Sequence, residues 1–266
     1  MNYGFCTGFA SQKPWAIEDV LIERIKAAGY GYVEFPLMSI AALSDTAFSQ
    51  LELLLHRLNL ETLVACNLFP SSISVMESRD TSAIIDEYLS NAFARAEALG
   101  IGKVVFGSAA SRWLPHGLER READRRFIDM VDLSLLPACS KFGIQVLLEP
   151  LNRGECNYLN TIKEAAEMVC HIDNSHFQLM IDLYHMNENR EDFHDIETVF
   201  SLVHHVHLCE PKRRLPESAF SPYLLECLRI LKQHGYDETI SFESKDSCNQ
   251  GGLTFALQML KDFWKV

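Results

Sequence analysis

Short apolar runs alternate with longer amphipathic segments eight times along this chain, and this alternation limits its fold more than any other feature. The apolar runs have the length and composition of buried strands, and the segments between them carry apolar residues at helical spacing. The eight pairs of run and segment are 3–8 with 15–28, 32–36 with 45–58, 62–68 with 81–99, 103–107 with 119–142, 144–150 with 161–171, 177–183 with 192–202, 203–208 with 219–234, and 239–244 with 252–264. Strands that alternate with helices in this way predict a parallel sheet in an α/β fold.

Glycine marks the ends of several predicted helices. It stands just after a helical segment and just before an apolar run in "AAGY" (27–30), "ALGI" (98–101), "KFGI" (141–144) and "QHGY" (233–236). Glycine adopts the left-handed backbone conformation that closes a helix without the steric cost that other residues meet. These positions therefore predict where four helices end and the next strands begin.

No linker and no change in composition interrupts the eight units within the 266 residues. Eight β/α units in about 250 residues are typical of one (β/α)8 TIM barrel, so we expect a single catalytic domain over residues 1–266. A doubly wound open sheet is the alternative. That fold places a glycine-rich phosphate-binding turn after its first strand, whereas "GFCTGFASQ" (4–12) has two glycines and no helix opening on them.

The charge and the cysteines indicate the kind of partner and compartment. The net charge of -12 disfavours binding to nucleic acid or to an anionic membrane. No run of about 18 apolar residues is present, so we expect no membrane span. The eight cysteines contain no Cys-x-x-Cys pair, and the N-terminal residues lack a signal-peptide pattern. Together these features predict a cytoplasmic protein with reduced thiols.

Four of the predicted strands carry a polar residue near the C-terminal end and a wholly apolar opposite face. Side chains alternate between the two faces of a strand, so an inward Glu149 places Val146 and Leu148 outward. The same alternation applies to three further strands, with Asp182, His207 and Glu243 facing inward. In a barrel, the C-terminal ends of the strands form the mouth where active sites are built.

Three carboxylates in one barrel mouth repel each other, and a divalent cation relieves that repulsion. Oxygen ligands with one imidazole suit Mn²⁺, Mg²⁺ or Co²⁺, and Zn²⁺ is also compatible. The pattern thus predicts a metal site at Glu149, Asp182, His207 and Glu243. The alternative is that these residues are ordinary strand-end polar groups that pair with lysine or arginine.

Longer motifs surround the four residues: "EPLNRGE" (149–155), "DLYHMN" (182–187), "HLCEPKR" (207–213) and Glu243. In these motifs the chain resembles the sugar isomerase/epimerase barrels of the xylose isomerase-like superfamily, and among them the tagatose/psicose 3-epimerase group of ketose epimerases. The resemblance implies one bound divalent metal ion, most often Mn²⁺, and a homo-oligomer, either a dimer or a tetramer. It also implies that the small sugar substrate is held through its first three oxygens by Glu155, His185 and Arg213, with Trp113 as a wall of the sugar pocket.

This resemblance implies a mechanism in which a ketose passes through a C2–C3 cis-enediolate. The metal acts as a Lewis acid on the C2 carbonyl. Glu149 and Glu243 flank the planar intermediate as the acid/base pair, one removing the C3 proton and the other returning a proton to the opposite face. Arg213 stabilises the developing oxyanion, and Glu155 and His185 orient the hydroxyl groups.

Further inward residues allow more than one interpretation. Glu34 ends the second apolar run in "YVEFP" (32–36), where we place it as a contact of the substrate or of Arg213, with a structural ion pair as the alternative. His205 lies one layer below His207 and is interpreted as a hydrogen-bonded core histidine, with a second ligand as the alternative. Phe69 and Pro70 follow the third run and either wall the pocket or form the loop.

Other functions on the same barrel stay open. The stretch "RRLPESAFSPY" (213–223) keeps Pro216 but lacks the Pro-Gly-x-Gly motif of the ketose epimerases, which leaves room for an aldose–ketose isomerase, a hydroxypyruvate-type isomerase or a dehydratase. An endonuclease IV-like DNA-repair nuclease is a remote alternative, because it needs histidines at strand ends that here read "ACNLFP" (65–70) and "FGSAAS" (106–111). A binding protein without catalysis is a third class.

Overall fold

Eight parallel strands close into a barrel in the computed structural model, which describes residues 1–11, 15–77, 82–246 and 250–265. The strands follow one another around the barrel in chain order, which confirms the predicted TIM barrel and excludes the doubly wound sheet. They are β1 Asn2–Cys6, β2 Tyr32–Pro36, β3 Val64–Cys66, β4 Lys103–Phe106, β5 Gln145–Leu148, β6 Phe177–Asp182, β7 Val203–Leu208 and β8 Thr239–Glu243.

The helices of the described residues lie in the connections between strands and after the last strand. They are α1 Asp19–Ala28, α2 Leu37–Ala41, α3 Asp45–Leu58, α4 Ser82–Ala98, α5 Arg120–Met130, α6 Leu136–Phe142, α7 Ile162–Ile172, α8 Leu183–Asn189, α9 Asp195–Val199, α10 Pro222–Gln233 and α11 Gln250–Lys265. The predicted helix 119–142 is divided by a π-helical turn between α5 and α6. The short helices α2 and α8 are not in the sequence prediction, because each follows its strand without a break that would reveal it.

The four predicted glycine caps are confirmed. Gly29, Gly100, Gly143 and Gly235 have φ angles of 92°, 77°, 65° and 74°. These angles lie in the left-handed region, where a side chain is strained. The chain can therefore reverse direction within one residue and enter the next strand.

Two separate apolar clusters show which way the strand residues face. Leu147 and Met180 belong to a small cluster inside the barrel. Val146, Leu148 and Ile181 belong to the large cluster between the barrel and its helices. The predicted alternation of faces along β5 and β6 is thereby confirmed, and it leaves the inward positions at the strand ends for polar side chains.

Within the described ranges, no helix combines the length and the apolar character that a membrane crossing requires.

Candidate active site

Four strands deliver buried ionisable side chains to the C-terminal mouth of the barrel. Asp182 ends β6, His207 lies in β7, Glu243 ends β8, and Glu149 directly follows β5; all four are buried. Metal-ligand atoms of Asp182, His207 and Glu243 all lie within 4.8 Å of one another, and so do those of Glu149, Asp182 and His185. Asp182 belongs to both groups, so the structure brings the four predicted ligands to one place.

His207 presents an unpaired ring nitrogen to these carboxylates. Its Nε2 lies 2.8 Å from Oε1 of Glu34, whereas its Nδ1 has no hydrogen-bond partner among the described residues. This Nδ1 lies 3.8 Å from Oε1 of Glu243 and 4.0 Å from Oε1 of Glu149. A carboxylate on the far nitrogen fixes the tautomer and orientation of metal-binding histidines, and Glu34 holds that position here.

The pKa values of the mouth residues reflect crowded buried charge. Burial, together with Asp182 and Glu243, raises the pKa of Glu149 to about 8 against the opposing effect of His207. Burial also raises the pKa of Asp182 to about 6. For His207, burial alone lowers the pKa, but Glu34 and Glu243 together raise it well above the ordinary value. Without a metal ion, protons bound to these side chains therefore neutralise part of the negative charge of the mouth. A bound cation would take over this role.

The donor set fits a divalent cation. Three carboxylates and an imidazole nitrogen are suitable ligands for a hard or borderline metal ion. The unpaired Nδ1 of His207 is the observation that favours this use, because a buried polar atom without a partner is costly. The Glu34 carboxylate is the hydrogen-bond partner of Nε2, on the opposite side of the same ring.

Gly107 makes room for the carboxylate of Glu149. It directly follows β4, and a Cβ atom at this position would lie 1.7 Å from Oε2 of Glu149. A side chain at residue 107 would therefore displace the carboxylate of Glu149 from its present position.

Arg112 supports Glu149 from the protein interior. Its guanidinium is fully buried and lies 5.6 Å from the ring centroid of Phe106. Its Nη2 donates to the backbone carbonyl of Glu149, while Nε and Nη1 have no partner among the described residues. Burial lowers the pKa of Arg112, against the opposing effects of Cys156 and Glu149. Sequence reasoning missed this residue, because nothing in "SRW" (111–113) distinguishes a buried arginine from a solvated one.

Arg213 lies between two aromatic rings at the mouth. The centre of its guanidinium is 4.2 Å from the centroid of Phe9 and 4.1 Å from that of Tyr184, distances at which cation–π attraction operates. Its Nη1 donates to Glu243 and lies 3.4 Å from Oδ2 of Asp182. Its backbone has a φ of 56°, a strained conformation for a residue with a side chain.

His185 carries its proton on the nitrogen that faces the mouth. Its Nδ1 accepts from the backbone N–H of Asn152 at 3.1 Å, so the neutral ring holds hydrogen on Nε2. Burial, together with Arg213, lowers the pKa of His185 well below its ordinary value and keeps the ring neutral. Nε2 lies 3.2 Å from Nη2 of Arg213. Two donors at this distance cannot bond each other, but they can share one acceptor oxygen.

Glu155 lies at the rim of the same group. Its Oε1 accepts from Nδ2 of Asn152 at 3.0 Å, and its Oε2 lies 3.9 Å from Nη2 of Arg213. The predicted substrate-binding residues Glu155, His185 and Arg213 are thus neighbours in the structure.

A cavity of about 540 Å³ opens above these groups. Glu149, Glu155, His185, Arg213 and Glu243 contribute its polar surface, and its apolar walls include Phe9, Trp15, Met38, Phe69, Pro70 and Leu151. Small-molecule sites of this size combine apolar walls with a few placed polar groups. Of the two interpretations of Phe69 and Pro70, the structure supports the pocket wall.

The model of the xylose isomerase-like TIM barrel family matches residues 22–263 of the chain. The chain belongs to the xylose isomerase-like TIM barrel family. Among its curated relatives, a D-psicose 3-epimerase of Ruminiclostridium cellulolyticum is 23% identical over 251 residues, which cover 91% of this chain and 83% of the relative. The 3-dehydro-D-guloside 4-epimerase of Escherichia coli is 31% identical over 121 residues. That alignment covers 43% of this chain and 45% of the relative, so it spans less than half of either protein.

Solved structures show the same barrel. A crystal structure of D-psicose 3-epimerase determined in the presence of D-fructose superposes on this family member with a TM-score of 0.85 and 17% sequence identity, covering 100% of both chains. At this identity the match supports the shared fold.

Two expected substrate contacts of this xylose isomerase-like barrel lie away from the cavity wall. Trp113 follows the short 3-10 turn Ala110–Arg112, is 47% exposed and is not among the residues that line the cavity. Trp15, which packs against Phe9 with ring centroids 5.0 Å apart, provides the indole wall instead. The path of the loop after β4 turns Trp113 outward, and nothing in the sequence shows that path.

Glu34 is the second such residue. It is fully buried beneath His207, where its oxygens contact Nε2 of His207 at 2.8 Å, Nε2 of His205 at 3.2 Å and Oγ of Ser241 at 2.5 Å. It does not line the cavity, so it positions His207 rather than contacting a substrate. His205 is fully buried and bonded at both ring nitrogens, as predicted for a core histidine.

Proposed function

We propose that this protein is a divalent-metal-dependent ketose 3-epimerase that acts on a small sugar. The observation that carries this proposal is the unpaired Nδ1 of His207, which faces three buried carboxylates at the base of a cavity. The adjacent donors of His185 and Arg213 supply a place for a substrate oxygen. The epimerase names of the curated relatives support the same reaction class.

In this proposal Glu149, Asp182, His207 and Glu243 hold one divalent cation, with Mn²⁺ as the first choice and Mg²⁺, Co²⁺ or Zn²⁺ as compatible ions. The bound cation supplies Lewis-acid polarisation of the C2 carbonyl and stabilises the negative charge that develops when C3 loses its proton.

Glu149 and Glu243 transfer the protons. They approach the cavity from different strands, Glu149 fixed by Gly107 and Arg112 and Glu243 by Arg213. One carboxylate removes the C3 proton from one face of the sugar, and the other carboxyl group returns a proton to the opposite face. Acid–base catalysis by positioned carboxylates contributes about 10²–10⁴-fold to the rate.

His185, Arg213 and Glu155 orient the substrate. The Nε2–H of His185 and Nη2 of Arg213 donate to one oxygen next to the reacting carbon, which favours the oxyanion over the carbonyl. The carboxylate of Glu155 accepts from a hydroxyl group. Phe9, Trp15 and Phe69 pack against the C–H faces of the sugar and exclude water from the intermediate.

The test is Mn²⁺-loaded enzyme with D-fructose, D-tagatose and D-psicose in deuterated water. We expect the C3 epimer of at least one ketose, with deuterium at C3. Glu149→Gln and Glu243→Gln should each reduce turnover by about 10² or more. Loss of exchange while Mn²⁺ stays bound supports the acid/base roles; wild-type turnover in both variants refutes them.

Two products would identify other reactions on the same site. An aldose with deuterium at C1 or C2 indicates an aldose–ketose isomerase, and loss of water from the sugar indicates a dehydratase. A 3-keto glycoside belongs in the same panel as a second candidate substrate, because the E. coli relative is a 4-epimerase of a 3-dehydro sugar and shares 31% identity over the aligned residues. If no substrate exchanges a carbon-bound proton with metal bound, the proposed function is wrong.

We also propose that the protein forms a homo-oligomer and acts in the cytoplasm without nucleic acid or a membrane as a partner. Light scattering after size-exclusion chromatography tests the first statement, and cell fractionation tests the second.

A further inference from the structure

Two cysteines lie side by side inside the barrel, just below the mouth. Cys6 ends β1 and Cys66 ends β3, and both are buried. Their sulfur atoms are 3.5 Å apart, and Sγ of Cys6 lies 3.5 Å from Oε1 of Glu243. The strand register explains the arrangement, because Cys6 pairs with Glu34 on one neighbouring strand and with Glu243 on the other. The reaction proposed above has no use for either thiol.

The distances suit a metal ion held by thiolates. Two sulfurs at about 2.3 Å from a tetrahedral Zn²⁺ lie about 3.8 Å apart, and such a sulfur lies about 3.5 Å from a carboxylate oxygen on the same ion. The separation of the two sulfurs is within a few tenths of an ångström of the first value. Glu34 provides a carboxylate oxygen within 4.8 Å of both sulfurs. A disulfide would require the sulfurs to approach to about 2.0 Å.

We propose that Cys6, Cys66 and Glu34, whose ligand atoms all lie within 4.8 Å of one another, form a second metal site, selective for thiophilic divalent cations such as Zn²⁺ or Cd²⁺. When the ion binds, two sulfur–metal bonds replace two S–H bonds and both protons pass to the solvent. The soft thiolates distinguish this site from the neighbouring site of carboxylates and imidazole, which favours harder ions. Cys66 lines the cavity, so the ion enters through the open mouth.

Glu34 also bonds Nε2 of His207, a residue of the first site, and this contact gives the second site a consequence. An ion held by the thiols draws the Glu34 carboxylate away from His207 and weakens the binding of Mn²⁺. A thiophilic cation therefore inhibits the enzyme, a consequence that rests on the proposed function. The binding of the ion by the two thiols does not depend on it.

The test is a titration of freshly reduced protein with Cd²⁺, followed by the ultraviolet absorption of cadmium–thiolate charge transfer. We expect a band that saturates with two thiolates per ion in the wild type and is lost in both Cys6→Ser and Cys66→Ser. Cys170→Ser, which removes an exposed thiol of α7, is the control and should keep the band. Binding of Mn²⁺ to each variant, measured by electron paramagnetic resonance, shows that a variant without the band is still folded.

An unchanged band in Cys6→Ser and Cys66→Ser, or no band in the wild type, would overturn the inference. A band that requires both cysteines, in a protein that epimerises no ketose, would support the second metal site and refute the proposed function. The two proposals can therefore fail separately.

Discussion

At the scale of single residues, the position of Glu149 depends on two neighbours, Gly107 and Arg112. Gly107 leaves the space that the carboxylate occupies, and Arg112 donates to the backbone carbonyl. His207 depends in the same way on Glu34, which bonds the ring nitrogen that faces the protein interior. These contacts predict that substitutions behind the site change its chemistry.

We expect Gly107→Ala to displace the carboxylate of Glu149 and to reduce kcat/KM by about 10²-fold, because a misplacement of about 1 Å is enough for such a loss. Steady-state kinetics on an active ketose provide the measurement. Gly102→Ala is the matched control, since a Cβ at residue 102 meets no atom within 4 Å. Equal activity of the two variants would contradict the steric explanation.

Glu34→Gln should weaken the binding of Mn²⁺ by about 10–100-fold, because it removes the charge that makes His207 a strong ligand. Isothermal titration calorimetry measures the affinity. Glu238→Gln serves as the comparison, because Glu238 pairs with Lys103 at the N-terminal end of β4, away from the mouth. An unchanged Mn²⁺ affinity in Glu34→Gln would show that the hydrogen bond to His207 has no effect on the metal site.

At the scale of elements, one side chain serves both a strand and a helix. Asp182 ends β6 and caps α8, where its Oδ1 accepts from the backbone N–H of Tyr184 at 2.7 Å. Its other oxygen, Oδ2, lies 3.5 Å from Nε2 of His185. The cap holds the carboxylate at a fixed angle. By contrast, the Thr161 capping box of α7 lies in the outer ring of helices.

The two caps predict opposite outcomes. Asp182→Asn keeps a capping side chain but removes a charge, so Mn²⁺ affinity should fall by at least about tenfold while the metal-free protein stays as stable as the wild type. Thr161→Ala should lower the free energy of unfolding by about 1 kcal/mol and leave the Mn²⁺ affinity unchanged. Denaturant unfolding and metal titration of both variants give the comparison. If metal-free Asp182→Asn lost stability and Thr161→Ala did not, the assignment of a metal-binding role to Asp182 and a stabilising role to Thr161 would be wrong.

At the scale of the whole molecule, the barrel mouth concentrates negative charge that the fold alone does not neutralise. Glu149, Asp182 and Glu243 come from separate strands, and each is buried next to the others. The net charge of -12 adds to the attraction of cations. A bound cation should therefore stabilise the entire barrel and not only its rim.

Mn²⁺ at about 100 times its Kd should stabilise the fold by about 2.7 kcal/mol. For a chain of this length, that energy raises Tm by about 5–10 °C. Differential scanning calorimetry before and after addition of a chelator measures the effect. Asp182→Asn should lose most of the rise; an equal rise in that variant would place the stabilising ion elsewhere.

The affinity for Mn²⁺ should fall as the pH falls. Burial and neighbouring carboxylates raise the pKa of Glu149 to about 8, and burial raises that of Asp182 to about 6. Below these values each group holds a proton that the cation has to displace, so binding at about pH 6 is weaker than at about pH 8. Calorimetry in two buffers with different ionisation enthalpies would show the release of protons. Binding that is equally tight at both pH values would mean that these groups are ionised without the metal.

The sequence by itself determined the barrel, the four glycine caps and the inward direction of Glu149, Asp182, His207 and Glu243. These features follow from helical spacing, from the alternation of side chains along a strand and from the backbone freedom of glycine. All three are local properties, so a reader of the chain can derive them without knowing which strands are neighbours.

The tertiary structure alone decided which side chains meet across the barrel. The pairing of Glu34 with His207, the contact of Cys6 with Cys66 and the choice of Trp15 over Trp113 as a cavity wall depend on the stagger of the strands and on the paths of the loops. Both are set by packing between residues that are distant in sequence. A local pattern cannot specify such contacts, because each position is fixed by neighbours from several other strands.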